Sequence, residues 1–420
     1  MATSGAALAS GALWYAIRDE AAASDADPIP GVAAADVDTD ELRRVVEGNV
    51  GFGLAMLREL AAAEPTENLL VSPASVGFAL GMTYAGARGE TATRIAETLR
   101  FPDDPHSAHQ QLQYELNERA AAVDDGEFEL AVANAVWGLE GYPYREEYLE
   151  LLETRYGAGL RTVDFVGDPE GAREEIDEWV AERTNDRIDE LFPDGAFDRY
   201  TRLVLTNAIY LLADWHHQFD RGDTREEEFT TLEGRATEVP LMRQTETFPY
   251  VEADGHQLVE LPYVEGEVGM VVLLPAEGEF EEIEAEVTAD RLAEFVDALD
   301  EAEGEVVLPR FEFESGFSLT DLLSEMGMGV AFDPDAANFD GIAPLDELEG
   351  NLFIDDVVHE AYVAVDEEGT EAAAATGVEV GVDSAPALDF RMVADRPFLF
   401  LIRDRITGAV LFLGRVVDPE

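Results

Sequence analysis

The sequence contains no cysteine and no lysine, and each absence excludes several kinds of chemistry. Without cysteine there is no disulfide, thiolate metal site, cysteine nucleophile or lipid-modified cysteine. Without lysine there is no phosphate-binding loop of the P-loop class and no Schiff-base or pyridoxal enzyme. No apolar run reaches the ~20 residues that a helix needs to cross a bilayer. Residues 8–17 are weakly apolar but lack a basic flank, so no complete secretory signal is visible.

Positive charge is also scarce, since 27 Arg face 91 Asp and Glu, for a formal net charge of -64. The carboxylates are spread along the whole chain, which makes a single acidic partner-binding face the less favoured interpretation. Such a surface repels nucleic acid and anionic membranes, so neither is expected as a partner. At ~1 M salt the screening length falls to roughly 3 Å, from roughly 10 Å at ~0.1 M. We therefore interpret the acidity as a halophilic adaptation and expect folding to require molar salt.

What the chain does have is enough apolar material for a core: 46% of its residues, with 22 Phe among them. This composition argues against a disordered protein. Residues 1–38 are rich in Ala and Asp, include Pro28 and Pro30, and predict a disordered leader. Residues 39–420 predict a single domain, which we expect to be a monomer. An extracellular or cell-surface location is favoured, and a cytoplasmic one stays open.

Hydrophobic spacing predicts helices early in the chain and strands later. A helix follows Asp40, and Ser72 is a candidate N-cap with Pro73 in the first turn of the next helix. Further helices are predicted near residues 90–99, 107–122, 144–154, 170–182, 288–299 and 318–326, the last with Ser318 as its cap. Strands are predicted at residues 128–137, 203–212, 269–274, 305–313 and 352–365, with a C-terminal hairpin of 398–402 and 409–417. This order favours an α+β fold.

The common enzyme motifs GxSxG, HExxH and GxGxxG are absent. His106 and His109 share a helix face, but no carboxylate stands at metal-binding spacing, so a solvated surface pair is the preferred interpretation. The pair His216 and His217 is equally weak as a metal site. No catalytic residue, metal or cofactor is therefore predicted, and a hydrolase is a minor alternative.

The informative segment is residues 366–383, which alternate in character with a period of two. From residue 370 onward the even positions are small or β-branched: Thr370, Ala372, Ala374, Thr376, Val378, Val380 and Val382. Every charged residue lies at an odd position: Glu371, Glu379 and Asp383. This is the pattern of a half-buried strand. The glycine and four alanines that lead it suit a strand that slips between two existing strands. An Ala-rich surface helix followed by a loop is the alternative.

Several strings in the sequence are similar to motifs of the serpin family, over roughly residues 40–420. They are residues 68–75 (NLLVSPAS), 134–137 (NAVW), 205–210 (LTNAIY) with Trp215, 308–311 (LPRF), 339–342 (FDGI), 358–361 (VHEA), 367–375 (EEGTEAAAA), 396–398 (RPF) and 414–419 (GRVVDP). Each string is weak alone, but their number and order are specific. The resemblance implies three β-sheets, eight or nine helices and an exposed reactive-centre loop at about residues 367–390.

The resemblance also implies a mechanism, in which the protein is a suicide inhibitor of serine proteases with a metastable fold. The protease cleaves the loop and forms a covalent acyl-enzyme, and the loop then inserts as a new central strand and distorts the protease. A subtilisin-like or an acid-preferring serine protease is the implied partner. A non-inhibitory serpin that acts as a carrier or chaperone is the alternative, although such members usually have bulky or charged hinges.

Residue roles follow from the same resemblance. The hinge comprises Glu367, Glu368, Gly369, Thr370, Glu371, Ala372, Ala373, Ala374 and Ala375. The region where the sheet opens comprises Ser72, Ser75, Asn207, Trp215 and His359, for which a purely structural role is equally open. Family spacing places the reactive bond between Asp383 and Ser384, and a longer loop would shift it within residues 382–385.

Overall fold

The computed structural model describes residues 32–122, 128–188, 190–344, 351–370 and 388–420. Within these ranges every helix is too short or too polar to cross a membrane. Residues 32–38 of the predicted leader lie along a later helix: the side chain of Gln110 donates to the carbonyl of Ala33, and the amide of Ala35 donates to Gln111. The remainder of the predicted leader lies outside the described residues.

Nine α-helices occur in the described part of the chain, most of them in its first half. They are α1 (Thr39–Ala63), α2 (Pro73–Gly86), α3 (Gly89–Leu99), α4 (His106–Ala122), α5 (Glu146–Tyr156), α6 (Pro169–Arg183), α7 (Phe280–Glu286), α8 (Ala289–Asp297) and α9 (Thr320–Leu323). The predicted start of α2 is confirmed, since the Ser72 side chain accepts a hydrogen bond from the amide of Ser75 and Pro73 is the first helical residue.

Fifteen strands among the described residues form two hydrogen-bonded sets. They are β1 (Leu69–Val71), β2 (Phe128–Leu139), β3 (Arg161–Val163), β4 (Leu203–Asp214), β5 (Arg225–Thr230), β6 (Ala236–Ala253), β7 (His256–Pro262), β8 (Val268–Leu274), β9 (Asp300–Pro309), β10 (Phe311–Ser318), β11 (Asp356–Val365), β12 (Gly369–Thr370), β13 (Phe390–Val393), β14 (Phe398–Asp404) and β15 (Val410–Val416). A six-stranded sheet has the order β10-β11-β12-β4-β2-β3. A nine-stranded set has the order β1-β15-β14-β8-β7-β6-β9-β13, with β5 paired to β6.

The long strand β6 divides the nine-stranded set into two sheets. Ala236 to Leu241 pair with β5 and Leu241 to Tyr250 with β9, whereas the last residues, Tyr250 to Ala253, pair with β7. Together with the six-stranded sheet, these are the three sheets that the motifs imply, and the α+β fold is confirmed. The core lies between the sheets and under the helices, and α2 runs through it with nearly every residue buried.

Some of the predicted element boundaries are wrong, and the strand predicted at residues 352–365 begins only at Asp356. The strand predicted across residues 305–313 breaks at Arg310, because β9 pairs with β6 in one sheet while β10 pairs with β11 in another. Ser318 does not cap a helix: it is the last residue of β10, paired with Val358, and its hydroxyl donates to Asp356. At Arg310 the hydrophobic pattern runs on through the change of partner, and Pro309 is the local signal of it.

The solvated surface pair predicted for His106 and His109 is also wrong. His109 is completely buried, and the Nδ1 atoms of the two rings lie 2.7 and 3.1 Å from the Tyr156 hydroxyl. Phe78 and Phe101 meet the His109 ring edge-on. Burial lowers the pKa of His106 to about 4 and that of His109 to about 3, so both rings are neutral at pH 7. The pair packs α4 against α2 and α5.

A buried ion pair anchors the C-terminal strand β15. The Nη1 atom of Arg415 lies 3.0 Å from each carboxylate oxygen of Glu284 on α7, and Nε donates to the carbonyl of Glu67. Arg415 is 1% exposed. Burial raises the pKa of Glu284, and the charge of Arg415 opposes that rise. Arg415 therefore holds β15, α7 and the segment between α1 and β1 in one arrangement.

Replacing Arg415 by Ala is expected to lower the free energy of unfolding by about 3–5 kcal/mol, because the Glu284 carboxylate then stays buried without its cation. Chemical denaturation in molar salt, followed by circular dichroism, measures the change. Arg235→Ala is the matched control, since it removes an exposed arginine that pairs with Asp418. We expect the control to change stability by less than about 0.5 kcal/mol. Equal losses in the two variants would contradict the assignment.

Candidate functional site at the open end of the six-stranded sheet

The six-stranded sheet is open at one end, between its central strands β4 and β11. These strands pair in parallel from Val204 to Ile209 and from Asp356 to Ala361, and their mutual pairing stops there. At the far end of the gap the short strand β12 lies between them. It pairs antiparallel with Asp214 and Ala213 of β4 on one side and with Val365 of β11 on the other. The chain has therefore begun to place a strand in the middle of the sheet.

A tight turn leads the chain from β11 into β12. The amide of Asp366 donates to the carbonyl of Gly369 at 3.0 Å. The Asp366 carboxylate in turn accepts hydrogen bonds from the amides of Glu368 (2.8 Å) and Gly369 (3.2 Å). An aspartate that binds the amides two and three residues ahead is typical of a stabilised turn. The predicted hinge residues Glu367 and Glu368 form this turn, and Gly369 and Thr370 form the strand.

The two residues of β12 fit the gap closely. Thr370 is 1% exposed, and its hydroxyl lies 2.6 Å from the hydroxyl of Tyr263 inside the molecule. A Cβ at Gly369 would lie 2.1 Å from the carbonyl oxygen of Ala213, so only glycine fits there. Thr370 faces inward, as the parity pattern predicts for even positions.

The later hinge residues Glu371, Ala372, Ala373, Ala374 and Ala375, and the reactive-bond residues Asp383 and Ser384, lie outside the described residues.

Trp215 lies at the head of the gap, directly after β4. Its ring stacks on Tyr263, with centroids 4.6 Å apart and planes 6° from parallel. The indole Nε1 donates to the carbonyl of Asp366 at 2.9 Å, and the backbone amide donates to the carbonyl of Glu368 at 2.8 Å. Trp215 thus holds the turn with both its side chain and its backbone.

Two buried carboxylates in the turn are paired with arginines from separate parts of the chain. The Glu367 side chain is 1% exposed and accepts hydrogen bonds from Arg310 and Thr224. Burial alone would raise the pKa of Glu367, but these two donors outweigh it and the pKa is lowered. The Glu368 side chain is 5% exposed and lies 2.7 Å from Nη2 of Arg221. The sequence analysis missed both arginines because neither belongs to the hinge motif.

Four of the residues predicted for the sheet opening meet in one polar cluster. The cluster lies where β4 and β11 are still paired with each other. The Asn207 amide donates to Ser75 Oγ at 2.8 Å and to Asn134 Oδ1 at 2.6 Å. The backbone amide of Ser72 donates to Nε2 of His359 at 3.1 Å. His359 and Asn207 are opposite each other in the β11–β4 pairing and are also hydrogen-bonded through their side chains. Asn134, on β2, is the member that the sequence analysis did not name.

The cluster requires a neutral His359. Because Nε2 accepts from the amide of Ser72, the ring proton is on Nδ1, from which it is donated to Asn207 Oδ1. Complete burial lowers the pKa of His359 to about 4. The cluster joins the start of α2 to both β4 and β11. Any separation of these strands must therefore rearrange it.

A sequence model of the serpins, described as serine protease inhibitors, matches residues 47–419. The chain belongs to the serpin family. It is 40% identical over 380 residues to an uncharacterized serpin-like protein of Thermococcus kodakarensis, and the alignment covers 90% of this chain and 86% of the relative. It is 36% identical over 390 residues to leukocyte elastase inhibitor A of Mus musculus, and the alignment covers 90% of this chain and 100% of the relative.

Solved serpin structures have the same fold. Uncleaved ovalbumin superposes with a TM-score of 0.79 at 30% identity, covering 89% of this chain and all of that one. Native protease nexin-1 superposes with a TM-score of 0.77 at 26% identity and covers 91% of this chain. The six-stranded sheet with its gap is therefore part of a serpin fold, and membership in this family is typical of protease inhibitors rather than of enzymes.

The stability of this serpin is expected to fall as the pH drops from 6.5 to 4, because His359 must stay neutral in the folded state while an unfolded histidine protonates near 6.5. The neutral His359 contributes on the order of 3 kcal/mol to the free energy of unfolding. This contribution is complete above pH 6.5 and is lost progressively down to about pH 4. Denaturation at a series of pH values should give a shallower decline for His359→Gln than for the wild type.

The exposed His216 supplies the control. His216→Gln should keep the wild-type decline, because this ring is exposed and lies outside the polar cluster. Identical slopes for His359→Gln and the wild type would show that the cluster does not depend on a neutral His359.

Replacing Gly369 by Ala is expected to drive β12 out of the gap, because the new Cβ would lie 2.1 Å from the carbonyl of Ala213. Hydrogen exchange at residues 365–370 should accelerate, and tryptophan emission should shift to the red as Trp215 loses its partner in the turn. Gly159→Ala is the control, since no atom lies within 4 Å of a Cβ at that position. If Gly369→Ala exchanges as slowly as the control, β12 is not seated in the gap.

Proposed function

We propose that this serpin inhibits serine proteases as a suicide substrate, and that the cleaved loop becomes a full central strand between β4 and β11. The single observation that carries the proposal is that, before any cleavage, Thr370 is paired with both strands and Gly369 with β4. The chain after Thr370 therefore has a direction and a register in which to continue.

Extending that register gives the path of the loop. With Thr370 opposite Ala213, each further residue moves one position back along β4, so Ala374 arrives opposite Ile209. At Ile209, however, β4 is already paired with Ala361 of β11, so the gap is open only as far as Tyr210, opposite Ala373. Beyond it, Thr376 arrives opposite Asn207, and the strand must separate β4 from β11 and break the Asn207–His359 contact. The alternation that buries Thr370 places Ala372 and Ala374 on the same inward face.

The chemistry begins at the bond between Asp383 and Ser384. The hydroxyl oxygen of the protease serine attacks the carbonyl carbon of Asp383, the peptide C–N bond breaks, and Ser384 leaves as a free amine that has taken up the proton. An ester now joins Asp383 to the protease. Insertion competes with hydrolysis of this ester, and inhibition results when insertion distorts the protease first. An aspartate here suits an acid-preferring protease, whereas Val382 or Ala385 would suit a subtilisin-like one.

The gain on insertion is large enough to drive this step. Burying Val378, Val380 and Val382 contributes about 1.5–3 kcal/mol each, and each new ladder hydrogen bond about 1 kcal/mol. These sums are comparable with the ~5–15 kcal/mol that stabilises a whole domain. A kinetic barrier thus keeps the uncleaved molecule from inserting its loop, and the remaining pairing between β4 and β11 contributes to that barrier.

The proposal is tested by incubating the protein in molar salt with subtilisin and, separately, with an acid-preferring serine protease. We expect a covalent complex that survives denaturing electrophoresis, a released C-terminal peptide that begins at Ser384, and a higher melting temperature after cleavage. Thr370→Arg should be cleaved without forming the complex, because a charged side chain cannot enter the site beside Tyr263. Thr93→Arg, an exposed change on α3, should behave as wild type.

The outcomes distinguish an inhibitory serpin from a non-inhibitory one. Cleavage with no complex and no rise in melting temperature indicates the non-inhibitory carrier or chaperone and overturns the proposal. A complex that forms equally well with Thr370→Arg contradicts the inward-facing role of Thr370.

A further inference from the structure

The turn before β12 is bound to an arginine outside the hinge motif. Arg221 lies in the segment that follows β4, and its Nη2 atom is 2.7 Å from Oε1 of Glu368 and 3.8 Å from Oδ2 of Asp366. The Arg221 side chain is 55% exposed, whereas the Glu368 and Asp366 side chains are 5% and 27% exposed. A solvated cation thus neutralises carboxylates that water reaches poorly.

The backbone of the same segment holds the turn as well. The amide of Trp215 donates to the carbonyl of Glu368, and the amide of Phe219 donates to the carbonyl of Glu367, both at 2.8 Å. Arg221 lies two residues after Phe219. Its ion pair with Glu368 therefore adds to the hydrogen bonds by which Trp215 and Phe219 hold the turn on the β4 side of the gap. Arg310, between β9 and β10, reaches Glu367 from the β11 side.

We propose that Arg221 is a positioning residue that, through Glu368, holds the turn at residues 366–369 against β4 and thereby keeps Thr370 in the gap. Without Arg221, Glu368 and Asp366 lose this cation. Both are better solvated if the turn moves outward. Movement of the turn withdraws Thr370 from its pairing with Ala213 and Val365, since the turn joins the end of β11 to the start of β12.

The consequence for inhibition rests on the proposed function. Insertion that starts from a seated β12 has only to extend an existing strand. If β12 has left the gap, it must first re-enter before insertion can start. This delay gives the acyl-enzyme more time to hydrolyse. Loss of Arg221 should therefore raise the number of inhibitor molecules consumed per protease inactivated. It should not change the rate of the first cleavage, because the reactive bond is remote in sequence from the turn.

The test compares Arg221→Gln, which removes the charge but keeps much of the length, with Arg221→Lys, which keeps the charge. Arg235→Gln is the matched control, since Arg235 is 52% exposed and also pairs with carboxylates. Hydrogen exchange of the intact full-length protein, measured by mass spectrometry over residues 362–370, needs no protease. We expect exchange to be about fivefold faster in Arg221→Gln and close to wild type in Arg221→Lys and in the control.

The second measurement uses subtilisin, or the acid-preferring protease if that one forms the complex. Arg221→Gln should consume more inhibitor per protease inactivated at an unchanged rate of first cleavage, and Arg221→Lys should restore the wild-type value. Exchange in Arg221→Gln equal to that of the control overturns the positioning role. Faster exchange together with a wild type that never forms a complex supports the positioning role and overturns the proposed function.

Discussion

The structure depends on an incomplete pairing between two central strands. β4 and β11 are hydrogen-bonded to each other over only part of their length, and β12 occupies the far end of the space that they leave. Buried backbone groups need partners, so a partly opened sheet favours any chain that can enter it. The turn, the stacked Trp215 and the arginines all lie at the end where entry begins. The polar cluster around Asn207 and His359 lies where entry must force the strands apart.

In a chain without lysine, arginine supplies the cation of nearly every ion pair among the described residues, and several of these arginines pair with buried carboxylates. Glu284 is held by Arg415, and Glu260 by Arg403 and Arg405. The turn at the gap follows the same rule with Glu367 and Glu368. A guanidinium can stay partly hydrated while its fork reaches an inner carboxylate, which suits a surface that is otherwise strongly acidic. The 27 arginines are few against 91 acids, so their placement identifies the carboxylates that the fold most needs to neutralise.

Sequence reasoning succeeded where the signal is local. The cap at Ser72 with Pro73, the C-terminal hairpin and the inward face of Thr370 all follow from neighbouring residues, because capping and strand alternation are short-range effects. It failed where a partner decides the outcome. Arg310 interrupts an apparent strand only because β9 and β10 join different sheets, and His109 is buried only because α2 and α5 close over α4.

The amino-acid order alone determined the family, the α+β class and the small-faced segment that follows Glu368, since motif spacing and alternation are properties of a linear chain. The tertiary structure decided how far that segment has already entered the sheet and which side chains hold it there. Arg221, Tyr263 and Asn134 lie far from the hinge in sequence and become its neighbours, or line its path, only when the strands assemble. Distances between residues so remote are set by the packing of the whole domain, which no local pattern encodes.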